Sequence, residues 1–197
     1  MKQIFLLRHA KSDWSTMGQQ DFDRGLASRG IKDISLISDY VKKNNFKLDE
    51  VLCSSANRTK ETFDLCADGF DFDIKNAKYF DDLYYGNHES IIDLLVNVNQ
   101  SANSVLVVGH NPTMHILLEQ LTGLSIIKYP TSSLAQIILG VIIYFVVNYE
   151  GIIHLPIAKI LQGSVSNRIS SETWWWFDQF PDQKCFFWGI FIIMEVS

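Results

Sequence analysis

The chain has 197 residues, 47% hydrophobic and 20% charged, which suits one packed domain and excludes a globally disordered polymer. A net charge of −5 argues against nucleic-acid binding, which needs a basic face, yet leaves room for an anion site built from a few local arginines. The longest apolar run, Leu134 to Val147 with Gln136 inside it, is shorter than the ~20 residues of a membrane-spanning helix, so no membrane span is expected.

In chain order, Ile4-Phe5-Leu6-Leu7 is a short apolar run bounded by polar residues and reads as a buried strand that ends on Arg8-His9. A single lysine and this four-residue apolar run before Arg8 are too short for a signal peptide, and a cytoplasmic location is expected. Residues 27–44 place Ile31, Ile34, Ile37, Tyr40 and Val41 at helical spacing, with Ser28 as a candidate cap and Asn44-Asn45 as the stop. Val51-Leu52-Cys53 reads as a second strand, Arg58 to Ala67 as a short helix, and residues 89–98 as an amphipathic helix. Residues 104–108 form the clearest strand and run into Gly109-His110. Pro112 then stands at the first position of a helix carrying Met114, Ile116, Leu117, Leu118 and Leu121. Val141 to Val147 and Ile152 to Ile157 read as further strands. Strands alternating with helices imply an α/β fold, a three-layer α/β/α sandwich with a mostly parallel central sheet.

In such a sheet, ligands bind beyond the carboxyl ends of the strands. Arg8-His9, Ser54-Ser55 and His110-Asn111 all fall just there. Arg8 and Arg58 are candidate forks for a phosphate dianion, because a planar guanidinium binds two oxygens at once. His9 is a candidate nucleophile toward phosphorus, provided one ring nitrogen is bare and the other is held by an acceptor. His110 is a candidate donor to the phosphoryl oxygens as charge builds on them. With these four groups around the anion, neither a metal nor another cofactor is expected. Cys53, Cys66 and Cys185 have no metal-ligand spacing and suggest no disulfide framework; they read as small buried hydrophobes. His88, His115 and His154 have no supporting context.

The motifs resemble those of the histidine phosphatase superfamily, the phosphoglycerate-mutase-like family. Its Arg-His signature appears as Leu7-Arg8-His9-Ala10-Lys11-Ser12-Asp13-Trp14, with Ala10 where the family often has glycine. Ala-Lys-Ser-Asp-Trp looks like the short phosphohistidine phosphatase branch. Asp21 to Leu26 with Arg29-Gly30, Ser54 to Thr59, Val107 to Pro112 and Pro130 to Ser133 resemble further segments of that branch, so the likeness covers roughly residues 2–140. The resemblance implies that His9 becomes phosphorylated and water then releases phosphate, with Arg8, Arg58 and His110 completing the pocket. It implies a general acid in Phe80 to Gly86, where Asp82 falls nearest the position and Asp81 next to it; the family's usual glutamate is replaced by a shorter aspartate. A weak acid favours a good leaving group such as imidazole, and little room is left between residues 60 and 104 for a large cap.

The expected partner is therefore a phosphorylated protein, with phosphohistidine on a signalling protein preferred. A small phosphorylated molecule handled by the same mechanism is the first alternative, and a phospho-binding module without turnover the second. The chain divides into a catalytic domain at 1–158 and an extension at 159–197, which is rich in aromatics such as Trp174-Trp175-Trp176-Phe177 and is a candidate homo-oligomer or partner contact.

Overall fold

The structure, a computed structural model, describes residues 3–138, 144–148 and 151–155. Seven strands form one sheet: β1 (Gln3–Arg8), β2 (Glu50–Ser54), β3 (Lys78–Phe80), β4 (Ser104–Gly109), β5 (Leu134–Ile138), β6 (Tyr144–Asn148) and β7 (Gly151–Leu155), in the spatial order β3-β2-β4-β1-β5-β6-β7. Among the described residues five α-helices accompany them: α1 (Ser28–Lys43), α2 (Asn57–Cys66), α3 (Asp82–Tyr85), α4 (His88–Val96) and α5 (Thr113–Thr122). Over its first five strands the sheet is mostly parallel, as the alternating pattern implied: β3, β2, β4 and β1 run together, and β5 is antiparallel to β1. β6 and β7 continue the antiparallel edge as a hairpin.

Central strands sandwiched between helices must be apolar on both faces, which explains their unbroken runs. Ile4 and Leu6 of β1, with Val105 and Val107 of β4, face a core shared with Leu83, Ile91, Leu95, Met114, Leu117 and Leu118 of α3–α5. Phe5 and Leu7, with Leu106 and Val108, face the opposite core, filled by Ile34, Ile37 and Val41 of α1 and by Phe63 and Cys66 of α2. The helices thus lie on both faces, giving the three-layer sandwich.

Several boundaries differ from the sequence pattern for local reasons. α1 is capped at Ala27 without a side-chain bond, so Ser28 is its first helical residue and not the cap. Ile31 faces outward, while Asn44 ends the helix and Asn45 takes the left-handed conformation. Pro112 is the cap of α5 and not its first residue. Gln136 did not stop β5 from forming, because its amide donates to the Gln3 side chain at 2.8 Å. Among the described residues no helix is long and apolar enough to cross a membrane. The expected domain division at 158/159, and the proposed aromatic contact surface beyond it, lie outside the described residues.

Gly30 is where α1 touches the loop leaving β1. A Cβ there would come within 2.3 Å of the Lys11 carbonyl oxygen, which is backbone and cannot swing away. Gly30→Ala is expected to cost ~1–3 kcal/mol of stability through overpacking. A thermal melt unchanged from the parent protein would contradict that contact.

Candidate active site

Strand register builds this site. Arg8 of β1 lies opposite Gly109 of β4, and Val108 of β4 opposite Cys53 of β2. The three parallel strands therefore finish at one level, and His9, His110 and the Ser54-Ser55 turn emerge side by side. The His9 N–H continues the ladder by donating to the Gly109 carbonyl at 3.0 Å, and the Ser132 N–H donates to the His9 carbonyl at 3.2 Å. The result is two imidazoles with ring centroids 4.9 Å apart, belonging to residues that are each only 9% exposed.

Arg58 reaches the same place from the first turn of α2. That turn is tied to the loop after β1 by Thr62, whose hydroxyl accepts from the Ala10 N–H at 2.9 Å and donates to the Arg58 carbonyl at 2.6 Å. Arg8 is anchored by donating from Nη1 to the Tyr129 carbonyl at 2.7 Å. Tyr129 is itself fixed by its hydroxyl on the Leu6 carbonyl at 2.6 Å. The structure thus gathers Arg8, His9, Arg58 and His110 at one sheet edge.

Asp82 is placed differently. It is exposed in the first turn of α3, and its carboxylate makes no hydrogen bond or ion pair with the cluster. Its neighbour Asp81 accepts from the Ser55 hydroxyl. The carboxylate that does enter the site is Asp21, from a single 3-10 turn at Asp21–Asp23. Asp21 pairs with Arg58 Nη2 at 3.0 Å and accepts from Arg24 Nε at 3.0 Å and from the Tyr84 hydroxyl at 2.7 Å. Arg24, 6% exposed, also donates to Ser12 Oγ at 2.8 Å and lies 3.5 Å from the Trp14 ring centroid. The Tyr84 ring stands edge-on to His110, with centroids 5.2 Å apart.

Sequence reasoning marked the Asp21 to Leu26 stretch without giving Asp21 or Arg24 a role, and it passed over Tyr84 and Tyr129. A three-residue turn has no periodicity, and a polar residue in a loop carries no sign that it points inward. Of the other histidines, His115 bonds the Ile126 carbonyl at 2.6 Å and His88 starts α4.

The electrostatics follow from burial among cations. Desolvation is the largest influence on His9, and the charges of Arg58, Arg8 and Arg24 add to it. Together they outweigh the Ala10 carbonyl bond and lower the pKa to about 4. His110 is lowered to about 2, again chiefly by desolvation, then by His9 and Arg58. Both rings are therefore neutral at neutral pH. A carbonyl can only accept, so the 2.8 Å contact to Ala10 O places the proton of His9 on Nδ1 and leaves the Nε2 lone pair bare. Desolvation would raise Asp21, but the Tyr84 hydroxyl and the two guanidiniums overcome it and hold the carboxylate at about 2.

Three buried N–H or ring-nitrogen positions at this edge have no protein partner: Arg8 Nε, Arg58 Nε and His110 Nδ1. Buried polar groups are normally satisfied, so these are the atoms available to an anion. Among the described residues, no group of three or more His, Cys, Asp or Glu side chains is placed to hold a metal ion.

Comparison with known proteins agrees with the geometry. The family model of the histidine phosphatase superfamily (branch 1) matches residues 4–94. An uncharacterised protein of Mycobacterium tuberculosis is 34% identical over 139 residues, covering 66% of this chain and 84% of that one. A phosphohistidine phosphatase SixA homolog of Haemophilus influenzae is 30% identical over 128 residues, covering 61% and 77%. A SixA-type protein from Agrobacterium tumefaciens superposes with a TM-score of 0.64 at 32% identity, over 70% of this chain and 92% of that one. A protein histidine phosphatase SixA complexed with tungstate shares the fold, with a TM-score of 0.62 at 24% identity over 70% and 88%. The chain belongs to the histidine phosphatase superfamily. Within it, the chain falls in the SixA-like branch.

The two depressed histidines tie stability to pH. Between about pH 4 and 6.5 the unfolded chain binds protons on both rings, whereas the folded chain does not. Stability is thus highest above pH 6.5 and is lost as the pH falls toward 4, each ring contributing up to ~1.4 kcal/mol per pH unit. Urea unfolding from pH 6.5 to 5, where most carboxylates stay ionised, should show this slope. His9→Gln should remove one ring's share, and an unchanged slope in that variant would contradict the neutral buried state.

Proposed function

We propose that the protein is a phosphatase that works through a covalent phosphohistidine at His9 and acts on phosphohistidine carried by another protein. The observation that carries this reading is the pairing of a bare His9 Nε2 with three buried nitrogens that have no protein partner, His110 Nδ1, Arg8 Nε and Arg58 Nε, at one sheet edge. The relatives of the SixA type support the same reading.

In the first step the Nε2 lone pair attacks phosphorus and the bond from phosphorus to the leaving nitrogen breaks. That bond's electron pair returns to the leaving imidazole. A substrate imidazole protonated on its far nitrogen departs as a neutral ring and needs no proton from the enzyme. His9 becomes an imidazolium whose Nδ1–H still donates to the Ala10 carbonyl, a contact that strengthens as the ring gains charge. In the second step water attacks phosphorus, gives up a proton to solvent, and the pair of the His9–phosphorus bond returns to Nε2. The guanidiniums of Arg8 and Arg58, with Arg24 behind them, balance the phosphoryl oxygens throughout.

The acid position decides the substrate class. Asp21 is held ionised by Arg24, Arg58 and Tyr84, and Asp82 has no contact that aims it at a leaving group. An alkoxide leaving group without a proton donor forfeits roughly 10²–10⁴ in rate. A protonated phosphoramidate forfeits none of it, which favours phosphohistidine over an alkyl phosphate.

Hydrolysis of a phosphohistidine peptide should exceed that of an alkyl phosphate ester by at least ~10²-fold in kcat/KM. His9→Ala should lower both by at least ~10³-fold and abolish an acid-labile, alkali-stable phosphoenzyme. Equal phosphate release by the variant and the parent would end the catalytic reading. Arg58→Ala should weaken inhibition by vanadate by ~10–100-fold, the worth of one charge-assisted bond. Unaltered inhibition would take Arg58 out of the pocket.

A further inference from the structure

Ser54 ends β2 and is fully buried, with its hydroxyl oxygen 2.9 Å from His110 Nε2. That distance alone does not say which atom carries the proton, since a hydroxyl both donates and accepts. The surroundings decide it. The Ala56 N–H donates to the same oxygen at 3.4 Å, occupying one of its lone pairs. Among the described residues the hydroxyl proton has no acceptor other than His110 Nε2. Were Nε2 to carry the hydrogen, the Ser54 proton would be buried with nowhere to go, a cost of ~1–3 kcal/mol. So the hydroxyl donates, Nε2 accepts, and the hydrogen of the neutral ring sits on Nδ1. Nδ1 is the ring atom left buried and unpartnered.

We propose that Ser54 is a positioning residue for the reaction described above: its hydroxyl locks neutral His110 in the tautomer that presents an Nδ1–H donor to the phosphoryl group. The two histidines of the site are then held in complementary roles with the same hydrogen placement. His9 has its Nδ1–H tied to the Ala10 carbonyl and offers a lone pair from Nε2. His110 has Nε2 tied to Ser54 and offers a hydrogen from Nδ1. In the other tautomer, His110 would aim a lone pair at a phosphoryl oxygen and repel it. Tyr84, edge-on with its centroid at 5.2 Å, and His9, at 4.9 Å, pack against the ring. Thr59 keeps the turn rigid by donating to the Ser54 carbonyl at 2.8 Å and the Ala56 carbonyl at 2.6 Å.

This proposal rests on the phosphatase reading for its purpose, but its core can be measured without substrate. The experiment is long-range 15N–1H NMR of histidine-labelled protein at pH 7, with the His110 signals assigned by their loss in His110→Gln. The parent protein should show a hydrogen-bearing Nδ1 and a bare Nε2. Ser54→Ala should move His110 toward the Nε2–H form or a mixture. Ser54→Cys, which keeps the volume but donates weakly, should do the same while leaving the thermal melt near that of the parent. Both variants should lose kcat on the order of 10- to 100-fold, less than the ~10²–10³ for deleting an oxyanion donor outright, because the useful tautomer stays partly populated. KM should change little. A parent spectrum with the hydrogen on Nε2 overturns the proposal. So does an Ala variant that keeps both the tautomer and kcat, or a Cys variant that restores full kcat, which would reduce Ser54 to packing. If the parent has the expected tautomer and Ser54→Ala shifts it, yet no phosphorylated substrate is turned over, the phosphatase reading fails while the tautomer assignment stands.

Discussion

The in-register parallel pairing of β1, β4 and β2 is the constraint on which everything else in this molecule depends. Parallel strands of matched length end together, and whatever follows each strand is delivered to a common edge. No side chain has to reach far. His9 and His110 are one residue past their strands, and Ser54 is the last residue of its own. A slip of one residue in any of these ladders would turn an inward group to the opposite face of the sheet and bury it in an apolar core. The alternating cores on the two faces forbid that slip. The same packing that stabilises the fold therefore fixes the geometry of the chemistry.

Around that edge the protein concentrates positive charge and removes water. Three guanidiniums and two imidazoles share the space, and one carboxylate, Asp21, partly offsets them. Loss of hydration, reinforced by the neighbouring cations, is why both rings stay neutral. The cluster is also suited to a dianion, whose charge would replace the mutual repulsion of the cations with attraction. Asp21 bridges Arg24 and Arg58 and is held ionised by them and by the Tyr84 hydroxyl.

Much of this was legible in the sequence, because the strands that carry the site are buried on both faces and read as unbroken apolar runs. Arg8-His9 and His110 stand out because they interrupt such runs at their ends. The parts that escaped reading have physical reasons. β3 is three residues long with exposed members, and α3 is a single turn, so neither has a period to detect. The family resemblance put the acid at Asp82, which is exposed in the first turn of a four-residue helix and makes no hydrogen bond or ion pair with the cluster. Asp21 and Arg24 sit in a loop whose course is set by tertiary contacts, including the Glu61 carboxylate that accepts from the Leu26 N–H at 2.7 Å. The role of Ser54 depends on what its hydroxyl lacks as well as what it touches, which no linear pattern records.

The lone bridge between Ser12 and Leu26 pinches residues 13–25 into an excursion closed at its base. Arg24 turns back inward from it and is buried, Asp21 stays partly exposed while pairing with Arg24 and Arg58, and Asp13 to Gln20 are exposed. The excursion is not free of the site: the Trp14 ring centroid lies 3.5 Å from the Arg24 guanidinium, and Arg24 Nη1 donates to the Asp13 carbonyl at 3.4 Å. A change at Trp14, on the surface, would therefore be felt at a buried guanidinium, so this stretch couples the outer face of the molecule to its charged interior.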